Sequence, residues 1–117
     1  MKILTAKIGE TFNLKVTARD ATKTAIDITG YTSMKLKIAK TLDIADADAL
    51  YYSKVLAASF SDGANGIHTF VVARSTTKDW DEGDYMYEVE LIDGSDVATI
   101  TGIGQINAVK TLIDYNA

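Results

Sequence analysis

The stretch KDWDEGDYMYEVEL, residues 78–91, decides the fold of this chain. It combines one tryptophan and two tyrosines with a crowd of carboxylates, a composition that is also typical of ligand-binding and active sites. Its second half has a period of two, which places every other side chain on the same face of a β-strand. The residues of the apolar face are Tyr85, Tyr87, Val89 and Leu91. We therefore interpret the stretch as a structural joint that leads into a half-buried strand.

The same period of two recurs along the rest of the chain. In residues 11–19 and 33–40, apolar side chains alternate with polar ones, which predicts two further half-buried strands. Residues 102–110 also alternate, but neither face is clearly the apolar one. Turn signals rich in Asp, Asn and Gly separate the runs, and IDGSDV at 92–97 predicts a tight hairpin. Less regular β-rich segments complete the set: residues 2–8, 50–60, 66–73 and 96–101. The patterns predict an all-β sandwich of about 7–9 antiparallel strands.

Two short helical turns are expected between these strands. STTKDW predicts the first, with Ser75 as its N-cap and Gly83 shortly after its end. The acidic, alanine-rich segment TLDIADADAL, residues 41–50, is compatible with the second.

Composition limits the compartment and the partners. The chain has 117 residues, which suits one domain. It has no cysteine, so disulfides and thiolate metal sites are excluded. The net charge is −4 and the lysines are scattered, which argues against nucleic acid as a partner. The sequence contains neither a signal peptide pattern nor an apolar run near the ~20 residues of a membrane span. We expect a soluble protein made in the cytoplasm of whatever cell translates it, with no membrane partner.

The candidate chemical sites in the sequence are weak. His68 is the single histidine, and its neighbours offer no second ligand at strand spacing. Asp43, Asp46 and Asp48 lie in a loop of small residues, but this loop lacks the glycine and the bidentate glutamate of a calcium loop, so a metal there is left open. No serine-nucleophile elbow or phosphate-binding glycine loop occurs. We expect no enzymatic activity, no catalytic residue and no cofactor.

The segment DEGDYMY resembles the tyrosine corner of immunoglobulin-like sandwiches. The matching residues are Asp81, Gly83 and Tyr85, and Tyr87 stands where disulfide-bonded immunoglobulins have a cysteine. In such a corner the tyrosine ring packs inward and its hydroxyl returns to a backbone group of the crossing chain. The resemblance implies a single immunoglobulin-like β-sandwich domain over residues 1–117.

The chain as a whole is similar in motif order to small immunoglobulin-like modules of tailed-phage structural proteins. These modules occur in baseplate and receptor-binding adaptors, in tail fibres and in capsid-attached proteins. The matching positions are Gly9, Glu10 and Phe12; Asp27, Ile28, Thr29, Gly30 and Tyr31; and Gly83, Tyr85, Tyr87, Val89 and Leu91. Baseplate adaptors usually carry further domains, whereas this sequence ends at Ala117. The resemblance therefore implies an accessory, decoration or adaptor subunit located in the virion.

Such a subunit would bind other virion structural proteins and copies of itself. Its apolar-polar ends, residues 1–8 and 109–116, are expected either to pair with a neighbouring subunit or to form edge strands of the same sandwich. An alternative function is a carbohydrate- or cell-surface-binding module that recognises a host glycan. Its sugar-stacking aromatics would be Tyr51, Tyr52, Trp80 or Tyr115.

Overall fold

The computed structural model describes residues 2–41, 44–45, 48–95 and 98–110. Within these residues the chain is mostly strand, as the period of two predicts. The strands are β1 (Lys2–Lys7), β2 (Phe12–Thr17), β3 (Ser33–Ala39), β4 (Tyr51–Leu56), β5 (Ile67–Val72), β6 (Gly83–Ile92) and β7 (Ala98–Val109). One short helix, α1 (Arg74–Thr77), lies between β5 and β6, and two 3₁₀ turns, Ala57–Ser59 and Gly63–Asn65, lie between β4 and β5. The prediction of an all-β chain is confirmed.

The strands form two sheets, and the chain crosses between them four times. Five strands form one sheet in the order β1-β7-β6-β3-β4, and β2 pairs with β5 in the other. All pairs are antiparallel except β1 and β7, which run parallel. β6 is the middle strand of the larger sheet, with β3 and β7 as its neighbours. The sheet is therefore mixed, whereas antiparallel strands were expected.

The apolar faces of the two sheets share one core. In β2 the burial alternates as predicted, and in β6 it does so from Tyr85 to Leu91. Because Tyr85, Tyr87, Val89 and Leu91 of β6 point into this core, a one-residue slip of β6 would expose all four. The core cluster includes Phe12, Leu14, Val16, Met34, Leu36, Ile38, Phe70, Val72, Tyr85, Tyr87, Val89, Leu91 and Ile106.

The last strand differs from its prediction. Residues 96–101 and 102–110 were expected as separate segments, but a single strand, β7, runs from Ala98 to Val109. A register irregularity opposite Val89 and Glu90 shifts its pairing with β6, so Gly102 lies inside the strand rather than at its end. Beyond that point Ile106 is fully buried, which settles the inward face that alternation left ambiguous.

The helical turn after β5 begins earlier than predicted. α1 starts at Arg74 with Ala73 as its N-cap, so Ser75 lies inside the helix and is not a cap. Thr77 at its end is fully buried, and its hydroxyl donates a hydrogen bond of 2.7 Å to the Glu10 carbonyl. This bond ties α1 to the turn between β1 and β2. The predicted helical turn at 41–50 and the hairpin at 92–97 lie partly outside the described residues.

Gly66 fixes how the 18–28 segment packs beside β5. Its φ is +75°, in the left-handed region that favours glycine. A Cβ atom here would lie 2.5 Å from the Ile26 carbonyl oxygen and 2.9 Å from that of Ala18. The Gly66 carbonyl also accepts a 2.8 Å hydrogen bond from the Ala18 N–H.

We therefore expect Gly66→Ala to lower the free energy of unfolding by about 2 kcal/mol or more, because it adds both strain and a clash with backbone atoms. Gly30→Ala is the matched control, since a Cβ atom there meets nothing within 4 Å. Chemical denaturation of both variants measures the difference. Equal stability of the two variants would contradict this packing.

Candidate functional site

The crossing between the two sheets, residues 73–85, contains most of the residues that suggested a site. Trp80 is 5% exposed, and its ring centroid lies 6.2 Å from that of Tyr85. The Tyr85 hydroxyl donates a 2.9 Å hydrogen bond to the Asp81 carbonyl. Gly83 has φ +145° with open space around it, so its backbone conformation, and not crowding, favours glycine there. The hydrogen bond, the ring contact and the glycine conformation together shape this segment as a structural connection between the two sheets.

The carboxylates of the crossing point away from its aromatic rings. Asp81, Glu82 and Asp84 are exposed, and Glu82 lies 3.7 Å from Lys110 in a solvent-exposed ion pair. An exposed pair of this kind adds little stability. The acids and aromatics that are adjacent in sequence therefore do not share a cavity.

Tyr85 is a neutral hydrogen-bond donor. Burial raises the pKa of its hydroxyl, and the negative charge of the nearby Asp81 carboxylate raises it further. The hydrogen bond to the Asp81 carbonyl acts in the opposite direction but is the smallest of the three effects. The hydroxyl thus keeps its proton across the physiological pH range and serves the fold as a donor.

His68 lies at the edge of the core between two phenylalanine rings. Its ring centroid is 4.7 Å from that of Phe70, edge-on, and 5.9 Å from that of Phe60. The Ser61 N–H donates to His68 Nδ1 at 3.1 Å, so this nitrogen is an acceptor in the neutral ring. Burial lowers the pKa of the imidazole below its ordinary value of 6.5. These contacts make His68 a packed, hydrogen-bonded core side chain.

Two aspartates in the loops accept hydrogen bonds from residues of the turns in which they lie. Asp20 accepts hydrogen bonds from the Thr22 side chain and from the N–H groups of Thr22 and Thr24, and the Thr22 hydroxyl is the main cause of its lowered pKa. Asp27 bonds both the N–H and the hydroxyl of Thr29 in the same way, and its pKa is also lowered. These are the usual turn contacts of aspartate.

The possible metal loop lies largely beyond what the structure describes. Asp43 and Asp46 fall outside the described residues, and Asp48 is an exposed residue. Within the described ranges, no three His, Asp or Glu side chains are grouped so that they could hold a metal ion.

A cleft of about 360 Å³ opens between the edge of β2 and the β6–β7 pair. Tyr87 and Val89 contribute to its lining, and the charged side chains around it are those of Lys15 and Arg19. The residues that line it include no carboxylate and no histidine.

The face of the five-stranded sheet that points away from the core, here called the outer face, carries a different pattern. It comprises Ile3, Lys35, Lys37, Tyr52, Lys54, Leu56, Met86, Glu88, Glu90, Ile103 and Gln105, as the strand alternation and register place them. Its centre is charged: Lys37 is paired in register with Glu88, and Lys35 with Glu90.

Apolar side chains flank this charged centre on both sides. Ile103 and Ile3 are 47% and 64% exposed toward one edge, and Tyr52 and Leu56 are 38% and 59% exposed on the opposite edge strand. Single exposed apolar side chains are common on protein surfaces, so these flanks bear on function only together with the charged band between them. Sequence reasoning missed this surface because each side chain is unremarkable alone, and only the strand order brings the two edges onto one face.

Removal of the Tyr85 hydroxyl tests the crossing. We expect Tyr85→Phe to lower the free energy of unfolding by about 1 kcal/mol or more, because the Asp81 carbonyl loses its donor. Tyr87→Phe is the control, since no hydrogen bond of the Tyr87 hydroxyl occurs within the described part of the chain. Denaturant melts of both variants measure the effect, and a Tyr85→Phe protein as stable as the Tyr87→Phe protein would refute the role of the bond.

The His68 environment predicts a pH effect. The unfolded chain binds a proton at its imidazole near pH 6.5, before the folded chain does, so the free energy of unfolding should fall as pH drops below that value. The stability from neutral His68 is fully present above pH 6.5. An NMR titration reads this group directly, because the chain has one histidine. His68→Asn should lose this part of the pH dependence, and a folded-state pKa at or above 6.5 would contradict the burial.

The sequence matches no protein-family model and no curated protein. Within the described residues, no helix has the length and apolar content required to cross a bilayer. The crossing, the outer face and the strand order are therefore the features of the molecule that bear on its function.

Proposed function

We propose that the chain is an immunoglobulin-like module that acts as a non-enzymatic structural subunit of a tailed-phage virion. The strand order supports the immunoglobulin-like part. β2 and β5 correspond to strands B and E of that fold, β3, β6 and β7 to strands C, F and G, and β4 to the added strand C′ of variable-type domains. The short helix before β6 and the Tyr85 bond to Asp81 lie where that fold has its tyrosine corner. In this proposal, residues 1–117 form a single domain.

The docking role is carried by one observation, the outer face with its charged centre and apolar flanks. Tyr52, Leu56, Ile3 and Ile103 expose apolar area that the fold itself does not use. Burial of such side chains against a partner is favourable by roughly 25 cal/mol per Å². A protein surface with complementary charge matches this face better than a small molecule, which requires a concave pocket. The module therefore docks through the outer face on another protein subunit of the particle.

The phage context rests on the motifs that resemble phage modules, and in the fold these motifs lie at the starts of strands. Gly9, with φ +86°, lies in the turn between β1 and β2, and Phe12 begins β2. In the second motif Asp27 bonds the Thr29 backbone and side chain, which shapes the approach to β3. These residues build strand entries. The virion is the proposed location, and an accessory, decoration or adaptor subunit is the proposed role.

A host-glycan-binding module is the second candidate. Sugar recognition by stacking requires exposed aromatic faces, but Trp80 is buried and Tyr51 is half-buried. Tyr115 lies outside the described residues, and Tyr52 is 38% exposed. Of these four aromatics, Tyr52 is the one with an exposed ring in the described part of the chain. The outer face therefore favours a protein partner.

Incorporation into particles tests the proposal. The chain, supplied with a tag to cells that produce the phage, should co-sediment with intact particles in a density gradient. Leu56→Ser should reduce incorporation at least tenfold, whereas Val71→Ser should not. Val71 is the matched control because it is 58% exposed, against 59% for Leu56, but lies on the smaller sheet. Thermal melts verify that both variants fold.

Recovery of the chain only from the soluble fraction of the lysate, together with specific signals on a glycan array, would replace this function with the sugar-binding one. Equal incorporation of the Leu56 and Val71 variants would contradict docking through the outer face.

A further inference from the structure

We propose that the partner on the outer face is a second copy of this chain, related to the first by a two-fold axis. The axis lies in the interface, parallel to the strands, between β3 and β6. This inference rests on the proposed docking function and names the occupant of that surface. It depends on the order of charges and apolar side chains across the sheet.

One row of the sheet shows the pattern. The register places Ile103 opposite Glu88, Glu88 opposite Lys37, and Lys37 opposite Tyr52. Read across β7, β6, β3 and β4, the outer face is apolar, acidic, basic and apolar. The reverse order is apolar, basic, acidic and apolar, which is its electrostatic complement. A neighbouring row repeats the centre, with Glu90 opposite Lys35.

A two-fold axis parallel to the strands reverses the strand order of the partner, so each row of one copy faces the same row of the other copy in reverse order. When two copies face each other, this axis places β6 over the partner's β3 and β7 over the partner's β4. Glu88 then faces the partner's Lys37, and Glu90 faces the partner's Lys35. Opposite charges meet in both charged rows of the centre, and Ile103 meets the partner's Tyr52. Lys54, which lies beside Lys35 on β4, adds a third basic side chain at this flank.

The charges also select this axis over the alternative. A two-fold axis in the interface but perpendicular to the strands would place β6 over the partner's β6 and β3 over the partner's β3. Glutamates would then face glutamates and lysines would face lysines, an arrangement that costs free energy. The face is self-complementary for the axis along the strands.

The side chains of the central band are positioned for such a contact. Lys35, Lys37, Tyr52, Glu88 and Glu90 line a shallow depression on the outer face. The Lys35 ammonium lies 3.8 Å from Glu90, with both side chains about 30% exposed, and Lys37 Nζ donates to the Ile44 carbonyl. These contacts hold the lysines in fixed positions on the outer face.

The size of the face suits a weak but specific dimer. The axis overlaps β7, β6, β3 and β4 and leaves β1 outside the contact. Four strands at about 4.8 Å spacing and about six residues at 3.3 Å give an overlap of roughly 20 by 20 Å. Two such faces bury roughly 800 Å² in total, the size range of weak and transient interfaces. Twisted sheets that pack face to face cross at about 30°, and an axis along the mean strand direction is compatible with this angle.

Charge-reversed variants test the pairing. One variant carries Lys35→Glu and Lys37→Glu, and the other carries Glu88→Lys and Glu90→Lys. Each presents a central band of one sign on β3 and β6, so each should be monomeric in analytical ultracentrifugation at concentrations where the unchanged chain dimerises. An equimolar mixture should form a heterodimer at least tenfold tighter than either self-association. A mixture that stays monomeric, while both variants melt like the unchanged chain, would overturn the proposal.

Cysteine cross-linking provides a test that leaves the charges intact. The chain has no cysteine, so Ile103→Cys and Tyr52→Cys each introduce a single thiol. The proposed axis places position 103 over the partner's position 52, while equivalent positions lie about 14 Å apart laterally. A bis-maleimide with a two-carbon spacer should therefore cross-link the mixture of the two variants at least tenfold more than either variant alone.

The outcomes separate this inference from the proposed function. Self-cross-linking of the Ile103→Cys variant at the level of the mixture would overturn the axis. Absence of any cross-link, together with particle incorporation that still depends on Leu56, would show that a different subunit occupies the outer face. In that case the docking function would stand and the second copy would be rejected.

Discussion

The hydrogen bond from the Tyr85 hydroxyl to the Asp81 carbonyl closes the crossing on which the rest of the structure depends. The chain leaves the smaller sheet at β5, turns through α1 and enters the middle strand of the larger sheet. A crossing of this kind interrupts the regular backbone pairing of a sheet, and buried polar groups require partners. Trp80 is buried and packs beside the Tyr85 ring. The crossing thereby fixes which residue begins the alternation of β6.

The position of β6 determines both faces of the larger sheet. Once Tyr85 points inward, Tyr87, Val89 and Leu91 must follow it into the core, and Glu88 and Glu90 must point outward. Because β3 pairs with β6, the same register places Lys35 and Lys37 beside those glutamates. One alternation therefore produces the core and the charged band of the outer face. A surface suited to docking is in this sense a consequence of how the core is built.

The sequence predicted the features that depend on local patterns. Alternation identified β2, β3 and β6, and the Asp-x-Gly-x-Tyr spacing located the segment before β6. Gly102 was placed at a strand end because glycine usually marks one, but the pairing with β6 continues past it through a bulge. Ser75 was expected to cap α1 because serine is a favoured cap residue, yet the N-cap is Ala73, two residues earlier, and the helix begins at Arg74.

Features that depend on distant contacts could not be predicted from the sequence. Thr77 is buried because its hydroxyl bonds Glu10, which lies 67 residues away. The parallel pairing of β1 with β7 and the outer face both require the strand order, which no local period encodes. The hydrogen bond between His68 and Ser61 likewise depends on the turn before β5, which brings the two residues together. The local period of two defines which side of a strand is apolar. The connections between the two sheets determine which residues that side packs against.

Native-state hydrogen exchange tests most directly whether β6 and its crossing organise the fold. If they do, the amides of β6 between Tyr85 and Leu91 exchange through global unfolding, with the same free energy as the whole chain. Amides that face outward on the edge strand β4 should exchange through smaller, local openings. The account would be contradicted if the β6 amides opened at lower free energy than those of β2 and β5, since the smaller sheet would then persist without the strand proposed to organise it.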